Sequence, residues 1–415
     1  MPPNDSIFSA ENQAKLASCA EFVDQLVAER ESRWTEFRRD RHRHPEASGE
    51  ENQTSRIICE RLNEFGIPAT IPARGVGVVG DLLIGEATAE TPAIAIRADI
   101  DALRMPDNKT VEYASCHPGI AHACGHDVHT TIVLSVAEVL SDVKKHLGSE
   151  VSSRIRFIFQ AAEETCDGAN WMIEDGYLQN VKSILGIHVE PNLLANQIGI
   201  RYGVMTAQVD LLDFTISGTG GHTARPHTTT DPIHTASLLV TNLYQMLPRS
   251  VDVRDASVFT IGQIHGGSAA NVIPGQVNMS GTLRTIDSDS REQLLGKIQS
   301  VCEHLAELTG NEICLNLLQP LGSVRNAHKE TSAFESSARQ VVGSDNVVIV
   351  DRPSMGGEDF AMYLDHCPGA QIRLGCAKSI PWPHLHSTVF DVDERVIAMG
   401  VRTVARAALL LSSGH

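Results

Sequence analysis

Positive charge is scarce in this 415-residue chain: 34 lysines and arginines face 51 aspartates and glutamates, for a formal net charge of −17. Such a balance repels nucleic acid and anionic membranes unless a basic patch opposes it. The densest basic run, Arg38-Arg39-Asp40-Arg41-His42-Arg43-His44, is short and broken by an aspartate. It follows a helical pattern, so it reads as charged surface at the carboxyl end of a helix dipole. Apolar runs long enough to cross a bilayer are missing. Met1-Pro2-Pro3-Asn4-Asp5-Ser6 has neither a basic nor an apolar leader region, and no secretory signal is expected. The nine cysteines are odd in number and follow no framework spacing, which points to reduced thiols and a cytoplasmic setting. Internal repeats and low-complexity segments are absent. What remains is a globular chain, 42% hydrophobic, with length for two domains and no expectation of a nucleic-acid or membrane partner.

Against this background one stretch stands out. Ala121-His122-Ala123-Cys124-Gly125-His126-Asp127-Val128-His129 packs three histidines, a cysteine and an aspartate into nine residues. Packing alone asks for no such density of ligands, whereas a thiolate and an imidazole two positions apart can reach one ion if the intervening glycine lets the backbone bend.

The periodicity places this cluster. Helices are expected over 11–39 and 51–65, short paired strands over 75–85, and a buried strand at Ala93-Ile94-Ala95-Ile96 that ends in Arg97-Ala98-Asp99-Ile100-Asp101. The cluster opens a helix to about Leu147. A strand at Arg156-Phe157-Ile158-Phe159 runs into Glu163-Glu164, and another at Ser183-Ile184-Leu185-Gly186-Ile187 delivers His188. Open α/β sheets keep their sites at the carboxyl ends of their strands, and three such ends converge here.

From Gln208 the pattern changes to β-α-β-β-α-β, the ferredoxin-like order. The fold expected is therefore α/β: residues 1–206 and 320–415 form one discontinuous catalytic domain around a largely parallel sheet, interrupted by an inserted domain over 207–319.

Cys124, His126, Glu164 and His188 are the donors at the strand ends, and the proline-stiffened loop Pro381-Trp382-Pro383-His384-Leu385-His386-Ser387 offers two more histidines, either of which could complete the set. Five ligands exceed one tetrahedral zinc, so two ions sharing a bridging group are expected. Adjacent Glu163 and Glu164 point different ways on regular backbone, which suits one to bind metal and the other to act as a general base. In the insert, the glycine-rich loop Ser217-Gly218-Thr219-Gly220-Gly221-His222 lacks the Gly-Lys-Ser/Thr ending of a phosphate loop and presents a histidine instead. Asn271 and Arg284 are strand-associated polar groups able to clamp a carboxylate.

These segments together resemble the dinuclear metallopeptidase superfamily of aminoacylases and glutamate-releasing carboxypeptidases. The likeness is greatest to the amidohydrolase branch typified by hippurate hydrolase and the plant indole-acetyl-amino-acid (auxin-conjugate) hydrolases. It runs from about Trp34 to the carboxyl terminus through Asp99-Ile100-Asp101-Ala102-Leu103, His122-Ala123-Cys124-Gly125-His126-Asp127, Glu163-Glu164, Gly220-Gly221-His222, Asn271-Val272-Ile273-Pro274 and Leu385-His386-Ser387. The resemblance implies two divalent ions (Zn2+, Mn2+, Ni2+ or Co2+) on Cys124, His126, Glu164, His188 and His386, with Glu163 as base and an orienting role for Asp101. It implies that the insert is a lid and a homodimer interface. His222 and Asn271 would then reach the partner chain's scissile carbonyl, while Arg284 meets the carboxylate of a small N-acyl amino acid. Gln160-Ala161-Ala162-Glu163 has alanine where proline is common, and Thr223-Ala224-Arg225 replaces the usual small residues after the lid histidine; neither removes a ligand. A metallo-dipeptidase and a non-catalytic metal-dependent binding protein are the competing readings.

Overall fold

The apolar runs around Ile94 and Phe157 become neighbouring parallel strands, Ala93–Asp99 and Ser153–Gln160, with every residue of both buried. Strands covered on both faces read as continuous apolar runs, and alternate side chains divide between two cores. Ile94, Ile96 and Ala98 join the larger one, while Ala93 and Ala95 join the smaller. In the computed structural model, which describes residues 10–147 and 152–413, these strands lie inside an eight-stranded mixed sheet. Its order is Ala69–Thr70, Val78–Ile84, Ser153–Gln160, Ala93–Asp99, Val181–Leu194, Gly369–Ala377, Ile198–Ile200 and Val347–Ile349. The central four strands are parallel to one another. Met1–Ser6 lies outside the described residues.

The chain divides into two units. The first comprises Met1–Met205, Val324–Asp351 and Asp359–His415; the second comprises Thr206–Ser323 and Arg352–Glu358. The sequence expectation assigns 352–358 to the first unit, but Ala207 N donates to Ser354 O (2.8 Å) and Arg284 Nη1 to Met355 O (2.8 Å), which binds this segment to the second.

In the first unit, helices Ala10–Arg43, His126–Val143 and Arg395–Ser413 pack on one another beside the larger core. Helix His126–Val143 is buried nearly all round, with polar His126, Asp127, His129, Thr130, Thr131 and Ser135 among its buried residues. It starts at Gly125, whose φ of 87° places it in the left-handed region. A Cβ there would lie 2.5 Å from Val189 Cγ2, so both the conformation and the close approach demand glycine.

Two sequence expectations are corrected. Short strands over 75–85 resolve into Val78–Ile84 paired with Ala69–Thr70. The basic run near residue 40 is also not all surface: Arg38 and His42 are fully buried, and both reach Asp127 Oδ2 at 2.7 Å. Arg38 also meets Asp391 at 3.0 Å. These long-range anions are invisible to local charge patterning, and together they offset the cost of burying the guanidinium.

The second unit has the βαββαβ order of elements. Its four-stranded antiparallel sheet runs Ser257–Gly266, Gln276–Thr285, Gln208–Ser217, Glu312–Leu321, with helices Pro232–Met246 and Ser288–Thr309 supplying its own core. Asp231 and Asp287 cap the two helices through their carboxylates, and Gly310 ends the second in the left-handed conformation.

Candidate metal centre

Strand register brings the donors together. Asp99 closes its strand opposite Gln160, three residues before Glu163, and the parallel neighbour Val181–Leu194 carries His188 past the same edge. The loop before helix His126–Val143 adds Cys124, and the first residue of the helix adds His126. Cys124, His126 and His188 have ligand atoms within 4.8 Å of one another; so do Cys124, Glu164 and His386, and so do His126, Glu163 and Glu164. Cys124, His126 and Glu164 each belong to two of these sets. Cys124 Sγ lies 3.6 Å from His188 Nε2, and Glu164 Oε1 lies 3.4 Å from His386 Nε2 and 3.9 Å from His126 Nε2. Of the two loop histidines left open by the sequence, His386 is the one in this set.

Hydrogen bonds select the free nitrogen of each imidazole. His126 Nδ1 is 3.0 Å from both the carbonyl oxygen and Oδ1 of Asp101, so it carries the proton and Nε2 keeps its lone pair. His188 Nδ1 donates to Val189 O at 2.8 Å, again leaving Nε2. Asp101 Oδ2 accepts from Ser48 Oγ (2.7 Å) and from the backbone N–H of Glu164 (3.1 Å), so one carboxylate orients two of the donors.

The donor set fits divalent cations. His126 Nε2 and Glu164 Oε1 are both buried and lack any hydrogen-bond partner. Orphaned buried polar atoms are costly, and a cation between them supplies what both want. The mixture of thiolate, imidazole and carboxylate is that of borderline transition metals. Burial pushes the Cys124 thiol well above its usual range, so a nearby cation is needed to hold the thiolate. Burial also opposes protonation of His126, but Asp99 and Cys124 outweigh it and raise its pKa, the mark of a pocket that draws positive charge. His188 is held well below its usual value by burial and by the charge of Arg373, which keeps it neutral.

Glu163 is buried beside the donors, with Oε2 3.9 Å from His126 Nε2 and Oε1 accepting from Asp359 N at 3.4 Å. His386 has a φ of 63°, rare for a residue with a Cβ, and its N–H donates to Ala123 O at 2.7 Å. That bond ties the late loop to the Cys124 segment, and strain of this kind concentrates at functional sites.

His222, Asn271 and Arg284 belong to the second unit. His222 pairs with Val272 in a two-stranded ladder, which makes Asn271 its neighbour although they are 49 positions apart; Thr223 N donates to Asn271 O at 3.4 Å. Both are exposed. His222 Nδ1 accepts from Ala224 N at 3.1 Å, so in the neutral ring Nε2 is the donor. Arg284 is half-buried and spends Nη1 on Met355 O.

Sequence reasoning gave no role to Arg97, Asp99 and His129, which are buried beside the donors. Their signal was present: Asp99 shares the strand end with Asp101, and His129 is the third histidine of the cluster.

The chain is 37% identical over 362 residues to N-acetyl-L-cysteine deacetylase of Bacillus subtilis (strain 168), covering 87% of this chain and 84% of that one. It is 33% identical over 402 residues to IAA-amino acid hydrolase ILR1-like 4 of Arabidopsis thaliana, covering 95% and 87%. A Bacillus subtilis crystal structure described as a dinuclear metal binding peptidase from the M20 family superposes with a TM-score of 0.80 at 30% identity, covering 93% of this chain and 99% of that one. The model of peptidase family M20/M25/M40 matches residues 95–410, and the chain belongs to that family.

Proposed function

We propose that this protein is a metal-dependent amidohydrolase that cleaves the amide bond of N-acyl amino acids, releasing a carboxylic acid and a free amino acid. The observation that carries the reading is the pair of orphaned buried atoms, His126 Nε2 and Glu164 Oε1, set 3.9 Å apart among Cys124, His188 and His386 and beside Glu163. The named activities of the deacetylase and the plant hydrolase support the same substrate class.

In this reading Cys124, His126, Glu164, His188 and His386 would hold two divalent ions. The ions supply Lewis acidity toward the scissile carbonyl and toward water. Glu163 removes the proton from the attacking water and returns it to the leaving nitrogen, work that suits a carboxylate whose Oε2 lies 3.9 Å from His126 Nε2 while its Oε1 accepts from Asp359 N. Asp101 keeps His126 and the Glu164 backbone in register. His222 presents Nε2–H to the developing oxyanion, with Asn271 beside it, and Arg284 has guanidinium nitrogens other than Nη1 to offer a substrate carboxylate.

A homodimer built through the second unit is part of the proposal. Strand Ser257–Gly266 is an edge of its sheet, and Val258 and Ile264 are exposed on it, as are Ile233 and Tyr244 on helix Pro232–Met246. An edge of ten residues is a template for pairing with a second copy.

The test is a panel of N-acetyl, N-benzoyl and indole-acetyl amino acids beside dipeptides, with Zn2+, Mn2+, Ni2+ and Co2+ varied. Turnover of acyl amino acids that chelation abolishes and divalent metal restores is expected. Preference for dipeptides bearing a free amino group would favour a dipeptidase, and inertness with metal bound would favour a binding protein.

A further inference from the structure

Asp99, His126 and His129 also bring ligand atoms within 4.8 Å of one another, all buried, and at first sight extend the metal centre. Their hydrogen bonds exclude His129 as a ligand. His129 Nδ1 lies 2.6 Å from Asp99 Oδ1, and His129 Nε2 accepts the backbone N–H of Val189 at 2.9 Å. An amide can only donate, so Nε2 is an acceptor, Nδ1 carries the proton, and neither nitrogen has a lone pair left for a cation. Asp99 is committed in turn: its Oδ2 accepts from Arg97 Nη1 at 2.6 Å, and the same guanidinium is held by Asp359 Oδ1 (2.7 Å) and Gln160 Oε1 (2.9 Å).

Val189 is where these bonds converge on the donors. Its N–H is held by His129, its carbonyl takes the Nδ1 proton of His188, and its side chain packs over Gly125, between Cys124 and His126. The His129 ring itself packs on His188, with centroids 4.8 Å apart. We infer that His129, oriented by Asp99 and Arg97, is a positioning residue for the metal centre. It pins Val189 so that His188 Nε2 and the Cys124-Gly125-His126 turn face one another at binding distance. Partners behind a metal-bound histidine matter at this level: their loss weakens metal affinity about 10- to 100-fold without removing a ligand.

The inference rests on the dinuclear reading above, and the experiment separates the two. The full-length chain is stripped with chelator and titrated with Co2+, following the d–d and thiolate-to-cobalt absorption, with near-ultraviolet circular dichroism as a check on folding. Wild type must bind two Co2+ per chain; if it does not, the dinuclear reading fails first. His129→Asn keeps a donor near Asp99 and loses the acceptor for Val189, whereas His129→Gln places an amide oxygen near the position of Nε2. The expected result is two Co2+ at saturation in both, with affinity down about 10- to 100-fold in His129→Asn and largely recovered in His129→Gln. Loss of one equivalent at saturation would make His129 a ligand and overturn the inference. So would affinities and cobalt spectra equal to wild type, whatever the melting temperature. Should neither variant fold, Asp99→Ala frees the ring from its orienting partner: weakened Co2+ binding is expected, and unchanged binding overturns the inference.

Discussion

The Nδ1 of His126 lies 3.0 Å from two oxygens of Asp101, its carbonyl oxygen and its Oδ1, while Oδ2 of the same carboxylate accepts from the Glu164 backbone. One side chain therefore fixes a tautomer on one element and a backbone position on another. Asp101→Asn keeps the size but leaves an amide facing one of two donors. Metal affinity is expected to fall about 10- to 100-fold with both equivalents retained at saturation, and kcat to fall with it. Chelator competition on the variant and on wild type measures the first effect, and unchanged affinity would remove Asp101 from its orienting role.

Glu163 and Glu164 are neighbours with different surroundings. Glu164 Oε1 is orphaned among nitrogens, whereas Glu163 Oε1 rests on the Asp359 N–H. Glu163→Gln should keep full metal content and lose several orders of magnitude in kcat, while Glu164→Gln should lose metal. Elemental analysis beside single-substrate kinetics decides it: equal metal loss in the two variants would refute the division of labour.

Glu51 supplies a pH dependence outside the donor set. Burial, together with the Asp101 charge, raises its pKa from 4.5 to about 7, although it accepts from Ala162 N and Gly49 N. A carboxyl with a raised folded pKa binds its proton more tightly when folded, so it contributes stability at low pH that is lost as pH climbs from about 4.5 through about 7. The difference is on the order of 3 kcal/mol. Glu51→Gln cannot titrate, so its stability relative to wild type should rise between pH 5.5 and 8.5 in urea melts of metal-loaded protein. Parallel pH profiles would show that Glu51 is not perturbed.

Much of this was legible from periodicity, because the parallel strands are apolar at their centres and end where polar residues begin. Ala93-Ile94-Ala95-Ile96 followed by Asp99 and Asp101 announces both a buried strand and its functional end. The Cys124-Gly125-His126 spacing carries a ligand turn with its hinge included. Other features depend on contacts that no local pattern encodes. Arg38 and Asp127 are 89 positions apart, and Arg97 and Asp359 are 262 apart; each looks like surface charge until its partner is known. The segment 352–358 reads as part of the first unit because the bonds that attach it to the second, such as Ala207 N to Ser354 O and Arg284 Nη1 to Met355 O, join residues far apart in the sequence. His129 carried the right residue type, but its role depends on the register that sets Val189 against it.

His222 is exposed on a ladder of the second unit, with Nε2 as its free donor, and the proposed dimer brings that donor to the partner's scissile carbonyl. Glu163→Ala and His222→Ala would each be inactive as homodimers. In a mixed dimer, the chain that keeps Glu163 receives an intact His222 from its partner, so one site of the two works. Random pairing in a closed two-fold dimer makes about half of the dimers mixed, and co-expression should recover roughly a quarter of wild-type activity. If His222 serves its own chain instead, every mixed dimer holds only broken sites. Recovery no greater than the sum of the separate variants, with mixed dimers verified by mass, would rule out the shared site.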